Sequence, residues 1–208
     1  MSGSSLPRLY LLTDRHNTSQ RPISSVISQA VDAGVRMVQI REKDLDTRPL
    51  IDLVQNLIPL IKRHQGKVLV NDRIDLAMAL DADGVHLRSD GLPLPRARRM
   101  LGNEKLIGIS THSIREVRYA EKEGADFVVL GPIFETPSKR MYGPPLGLHA
   151  LETACRASRL PIFAIGGINP KHVASVMSSG AYGIAVISAI LQAPNIIDST
   201  HEFLSQLP

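Results

Sequence analysis

The stretch "EGADFVVLGP", residues 123–132, closes one kind of structure and starts another. Glu123 and Gly124 end a polar, helix-like segment, and Phe127 to Leu130 then run apolar without interruption until Gly131 and Pro132. A glycine just past a helix takes the left-handed conformation at little cost. A short continuous apolar run reads as a strand covered on both faces. The same design recurs in "DAGVRMVQI" (32–40), "DADGVHL" (81–87) and "SGAYGIAVIS" (179–188). Four more strand-length runs are "LYLLTD" (9–14), "KVLVND" (67–72), "LIGIST" (106–111) and "PIFAIGG" (161–167). Between them lie helical patterns such as "ISSVISQAVDAG" (23–34), "LIDLVQNLIPLIKRH" (50–64), "IREVRYAEKEG" (114–124) and "KHVASVMSSG" (171–180). Apolar residues in these recur every three or four positions. Strands alternating with helices in this number predict a compact (β/α)₈ TIM barrel. A doubly wound open sheet is the rival, but no GxGxxG follows the first strand. No linker or low-complexity segment interrupts the pattern, so a single domain is expected over residues 1–208.

Bulk properties agree with this reading. The chain is 43% hydrophobic and 21% charged, with 4% aromatic residues and no Trp. Its core is therefore expected to be Val, Ile, Leu and Ala. The net charge of +4 is mild and the basic residues are scattered. That favours an anionic small molecule over nucleic acid, which would want a basic stripe. Cys155 is the only cysteine, which excludes an intrachain disulfide and reads as packing within "LETACRA". No stretch is long and apolar enough to span a bilayer, and a cytoplasmic protein is expected.

In such barrels active sites lie at the C-terminal strand ends. The end at "VQIREKD" (38–44) turns from apolar to charged. By strand alternation Val38 and Ile40 would face the helices. Gln39, Arg41 and, if the extended geometry persists, Lys43 would converge on the mouth. An amide and two cations aimed at one space suit a diphosphate. A strand-end ion pair neutralising Arg41 is the plainer alternative. "VND" (70–72) offers Asp72 as a hard ligand for Mg²⁺ and Asn71 as a two-way hydrogen bonder, or else ordinary turn chemistry. "GPIFETPSK" (131–139) places Thr136, Ser138 and Lys139 on a loop that could close over an anion or simply be solvated. "AIGGI" (164–168) and "AVISAI" (185–190) occupy the positions after strands seven and eight, where backbone N–H groups often bind phosphate. Paired glycines allow close approach there, and Ser188 adds a hydroxyl. Two anion sites in one mouth suggest two phosphorylated substrates. His16, His64 and His201 sit in loop or helix contexts that carry no signal. His112, in "STHS" with Ser110, reads either as a general base or as a residue near a helix N-cap. No spacing suggests zinc.

Taken in order and spacing, "LLTD", "VQIREK", "VND", "ADGVHL", "GISTHS", "GADFVVLGPIFETPSK", "AIGGI" and "AVISAI" resemble the thiamin phosphate synthase family over nearly the whole chain. The resemblance implies a transferase of thiamin biosynthesis. It would join hydroxymethylpyrimidine diphosphate to a thiazole phosphate, with Mg²⁺, and release diphosphate. It implies that Gln39, Arg41, Lys43, Asn71, Ser110 and Lys139 contact the pyrimidine diphosphate. Among these, Arg41, Lys43, Ser110 and Lys139 would act in catalysis. Thr136, Ser138, Gly167, Ile187 and Ser188 would hold the thiazole phosphate, and Asp72 the metal. The implied partners are phosphorylated small molecules, not nucleic acid or a membrane, with a homo-oligomer left open. The sequence departs from the family at "RSDG" (88–91), where the family usually has Gly-Gln-x-Asp. Gly91 takes the place of a metal-binding Asp, Asp90 comes one residue early, and Arg88 adds a cation. Asp72 is expected to anchor Mg²⁺ with help from Asp90. The alternative is the sister family of metal-independent thiazole tautomerases, for which His112 would be the catalytic base. A non-catalytic binder of thiazole or thiamin phosphate is a further one.

Overall fold

The computed structural model describes residues 6–136 and 144–208. Eight parallel strands close into a barrel in sequence order. They are β1 Leu9–Leu12, β2 Met37–Ile40, β3 Lys67–Asn71, β4 Gly84–Leu87, β5 Leu106–Thr111, β6 Phe127–Leu130, β7 Ile162–Ile165 and β8 Gly183–Val186. Between them run α1 Ile23–Asp32, α2 Thr47–Arg63, α3 Ile74–Ala79, α4 Leu94–Leu101, α5 Ile114–Lys122, α6 Gly147–Ala157 and α7 Pro170–Ser178. α8 Ser188–Leu191 and α9 Ile196–Leu204 follow the last strand. β8 pairs with β1 through Leu9 opposite Ile184 and Leu11 opposite Val186, which closes the ring. No described helix is long and apolar enough to cross a membrane.

Left-handed glycines end the helical segments before β2, β6 and β8, with φ of 117° at Gly34, 86° at Gly124 and 88° at Gly180. Before β4 the same turn is made by Asp81 at φ 51°. Its carboxylate is held by Lys105, which offsets the strain a side chain carries there.

The alternation of the strands sorts their side chains into two cores. Val38, Ile40, Val68, Val70, Val85, Val128, Ile184 and Val186 face the helices, in a layer of the aliphatic composition expected. The lumen differs from that expectation. Tyr10, Met37, Leu69, Phe127 and Phe163 fill it, with aromatic rings meeting edge to face. Three of the aromatic residues, Tyr10, Phe127 and Phe163, thus sit where a narrow barrel needs bulk at its axis. Gly108 makes room for one of them: a Cβ there would fall 2.2 Å from the Phe127 ring. The packed lumen leaves the C-terminal strand ends as the place where polar groups gather.

Candidate active site

The inward positions nearest the C-terminal ends of β2 to β5 are polar in four consecutive strands: Gln39, Asn71, His86 and Ser110. Gln39 is fully buried and its Nε2 donates to the Tyr10 hydroxyl at 2.9 Å, while its Oε1 has no partner. Val38 and Ile40 face the helices as the alternation predicted. β2 ends at Ile40, and residues 43 and 44 form a turn, so Lys43 reaches the mouth from a turn rather than from extended chain.

Glu42 decides how Arg41 is read. Its side chain is 1% exposed and turns back to accept from the Arg15 backbone N–H at 3.1 Å and from the Arg15 guanidinium at 3.4 Å. The carboxylate adjacent in sequence is therefore committed elsewhere. Arg41 enters no ion pair among the described residues. Its backbone N–H donates to Thr13 Oγ1, and its charge lies near enough to act on His86.

Asp72 follows β3 in the left-handed region, at φ 56°. Its Oδ1 accepts from the Arg88 backbone N–H and its Oδ2 from Asn71 Nδ2, each at 2.9 Å. These bonds orient the carboxylate and leave each oxygen further lone pairs. Asp90 is placed otherwise. Both its oxygens are held by the Arg88 guanidinium, at 2.8 and 2.7 Å, and that contact lowers its pKa. Lys43 also acts on Asp90 electrostatically, so β2, β3 and β4 bring Lys43, Asp72, Arg88 and Asp90 into one cluster. A Cβ built at Gly91 would lie 3.2 Å from the Arg88 carbonyl and 3.6 Å from Asp72 Oδ1, so a side chain at residue 91 would start beside the Asp72 carboxylate. No group of three or more His, Cys, Asp or Glu suited to a metal occurs among the described residues. The donor set fits a Mg²⁺ ion that takes Asp72 from the protein, Asp90 as well where it leaves Arg88, and the rest of its shell from phosphate oxygens and water.

On β4 and β5, His86 Nε2 lies 3.0 Å from Ser110 Oγ. The sequence reading passed over His86 because it sits in the apolar run "GVHL". The signal that finds it is parity, since it shares the inward face with Gly84. Burial, and then the charge of Arg41, push its pKa down to about 3. His112 lies past β5 and is exposed. Its Nδ1 donates to the Gly131 carbonyl at 2.6 Å, so in the neutral ring the proton sits on Nδ1 and the lone pair on Nε2. Its backbone N–H is bonded by Glu116, while Ser113 caps α5 by accepting from the Glu116 N–H. The two readings of His112 are therefore compatible: its backbone belongs to the cap and its ring is available.

The β6–β8 side is built from backbone. Past β6, Ile133 N–H donates to Ile165 O and Phe134 N–H to Gly166 O, so the β6–α6 loop begins zipped to the end of β7. Gly166 and Gly167 have φ of 99° and 63°, and a Cβ on Gly167 would fall 2.5 Å from the Glu135 carbonyl. Only glycine fits both the conformation and the contact. His172 in the first turn of α7 donates from Nδ1 to the Gly167 carbonyl at 3.0 Å and stacks on Phe134, ring centroids 4.0 Å apart. Ile187 lines the lumen cluster and Ser188 opens α8, exposed. Thr136 is half-buried in the first part of the β6–α6 loop; Ser138 and Lys139 lie outside the described residues.

At the opposite, N-terminal end of the barrel, Arg8, Cys155, Arg159 and Tyr182 line a shallow groove of ≈ 460 Å³, remote from these groups. Burial pushes the Cys155 thiol up to about 11, so it is protonated at neutral pH, in keeping with a packing role.

The family model described as "Thiamine monophosphate synthase" matches residues 9–190. The chain belongs to the thiamine monophosphate synthase family. A protein of Geobacter sulfurreducens named a putative thiamine-phosphate synthase is 42% identical over 200 residues, covering 96% of this chain and 94% of that one. A thiamine-phosphate synthase of Syntrophomonas wolfei is 43% identical over 188 residues, covering 90% of each. Among solved structures, a thiamine phosphate pyrophosphorylase of Pyrococcus furiosus superposes with a TM-score of 0.87 at 33% identity, over 96% of this chain and 94% of that one. The thiamine monophosphate synthase family is thus matched along the whole barrel, including both halves of the mouth.

Proposed function

We propose that this chain is a thiamin phosphate synthase. It displaces diphosphate from hydroxymethylpyrimidine diphosphate with the ring nitrogen of a thiazole phosphate. The observation that carries this reading is Arg41, which among the described residues has no carboxylate partner, the adjacent Glu42 being committed to Arg15. A cation so placed beside Lys43 and a chain of buried and half-buried polar groups suits a substrate that brings its own negative charge.

In this reading Gln39, Asn71 and Ser110 orient the pyrimidine diphosphate. Arg41, Lys43 and Lys139 stabilise the charge that grows on the leaving diphosphate. The aminopyrimidine donates electron density as its carbon–oxygen bond breaks. Thr136, Ser138, Gly167, Ile187 and Ser188 hold the thiazole phosphate so that its nitrogen stands in line for attack. The nucleophile belongs to the substrate, so the protein supplies no covalent catalyst. Mg²⁺, when bound, would supply further charge neutralisation at the diphosphate, held by Asp72 and, once Asp90 leaves Arg88, by Asp90. Substrates so highly charged do not cross a bilayer unaided, and the reaction is placed in the cytoplasm.

One observation favours a second reading. The bond from Nδ1–H to the Gly131 carbonyl fixes the His112 ring and leaves its Nε2 edge turned to the exposed side, where a tautomerase would present its base. Incubation with both phosphorylated substrates and Mg²⁺ tests the two. Thiamin phosphate formation supports the synthase. Proton exchange on a thiazole carboxylate phosphate without condensation supports the tautomerase, and retention of ligand without turnover a binder.

A further inference from the structure

Two buried polar atoms facing the lumen have no hydrogen-bond partner among the described residues: Gln39 Oε1 and His86 Nδ1. Each belongs to a side chain whose other end is fixed, Gln39 on Tyr10 and His86 on Ser110. His86 is 2% exposed and lies between the rings of Tyr10 and Phe127, each with its centroid 5.9 Å away. Its ring is held by packing and by one hydrogen bond.

That single bond has two possible senses. If Nδ1 carried the ring proton, a buried N–H would be left without an acceptor, and Ser110 would have to donate to Nε2. If Nε2 carries it, the proton is used on Ser110 Oγ and only a lone pair is left over at Nδ1. Orphaned N–H groups are rarer in proteins than under-used acceptors, and a buried unsatisfied group costs the desolvation of that group. The Nε2–H form is the one this surrounding selects. Ser110 Oγ then accepts from His86, and its own proton must go elsewhere. Among the described residues Ser110 makes no other side-chain hydrogen bond, and it is the last inward residue of β5, half-buried at the mouth.

We propose that His86 is a positioning residue that, by donating to Ser110 Oγ, orders that hydroxyl and turns its proton toward the anionic substrate at the mouth. The proposal rests on the synthase reading for the identity of that anion, but not for the tautomer. A serine with both lone pairs and its proton free adapts to donors and acceptors alike. One whose oxygen is engaged by an imidazole N–H keeps its proton for a negatively charged oxygen, and its rotor is ordered before substrate arrives.

Amide substitutions separate this role from packing. The Gln amide reaches the position of the imidazole Nε2, whereas the Asn amide stops near that of Nδ1. His86→Gln should therefore keep a donor on Ser110, and His86→Asn should not. We expect the Asn variant to lose roughly tenfold or more in kcat, with the loss in KM much smaller and the Gln variant recovering most of it. In a Ser110→Ala background, His86→Asn should cost little further, because the two residues act as one unit. ¹⁵N NMR of the ligand-free, unmutated protein reads the tautomer directly and needs neither activity nor a variant that folds. Nε2 protonation is expected. An Nδ1-protonated His86, equal activity of the Gln and Asn variants, or additive losses in the double variant would each overturn the proposal. If no thiamin phosphate forms at all, the synthase reading fails, while the NMR result still decides the tautomer.

Discussion

On one side of the mouth, β2 to β5 end in Gln39, Asn71, His86 and Ser110, with Arg41 and Lys43 just beyond. On the other, the inward residues Val129, Ile165, Ala185 and Ile187 are apolar, and the groups offered to a ligand are the backbone at Gly166 and Gly167. One half gathers side-chain charge; in the other, Gly166 and Gly167 lie too close to the β6–α6 loop for a Cβ. In the proposed reading the leaving diphosphate needs cations that follow its growing charge, while the thiazole phosphate, which only has to be held, is served by fixed backbone dipoles and the hydroxyls of Thr136, Ser138 and Ser188.

The largest expected effect is on the first half. Arg41→Ala should lower kcat by about 100-fold or more at saturating substrates, since its contact strengthens as charge develops. An unchanged kcat would remove the polar half from the chemistry. On the second half, Gly167→Ala forces a Cβ against the Glu135 carbonyl at φ 63°. It should raise KM for the thiazole phosphate by roughly tenfold while leaving binding of the pyrimidine diphosphate, measured by calorimetry, near normal. Equal damage to both substrates would mean the halves are not separable.

Asp72→Ala should raise the Mg²⁺ concentration needed for half-maximal rate by about tenfold, and Asp90→Ala by much less, because Asp90 must first leave Arg88. A larger effect at Asp90, or full activity in excess chelator, would overturn the assignment. A pH effect is expected on stability. The His86 pKa is depressed on folding, so the unfolded chain takes up a proton below pH 6.5 that the folded chain refuses until about 3. Its contribution is fully present above 6.5 and is lost as pH falls, by about 1.4 kcal/mol per unit through that window. Denaturant midpoints from pH 7 to 4 should fall less steeply in His86→Gln than in the unmutated chain. The smallest effect is expected at His112: if the synthase reading holds, His112→Asn should stay within about threefold of normal turnover, as no base is needed to activate the thiazole nitrogen. Loss of nearly all activity would favour proton transfer instead.

The barrel was legible because glycine-ended helices and continuous apolar strands repeat, and both signals are local. Arg41 and Lys43 were visible as charges at a strand end. Whether Arg41 was neutralised was not, because the answer depends on Arg15, distant in sequence from Glu42. His86 was hidden by its apolar neighbours, and its partnership with Ser110 exists only across two strands. The aromatic lumen was missed because composition counts residues without saying where they gather. The Arg88–Asp90 pair could be suspected from "RSDG", but the place of residue 91 beside Asp72 needed the turn itself.

The rings of Tyr10, Phe127 and Phe163 that fill the lumen also govern traffic. They make the mouth a cul-de-sac, so both reactants arrive and both products depart by the same doorway. A product spanning both halves blocks the way to each, so in the proposed reading thiamin phosphate competes with either reactant for the open mouth, and its departure sets the pace wherever it is slower than the bond-making that produced it.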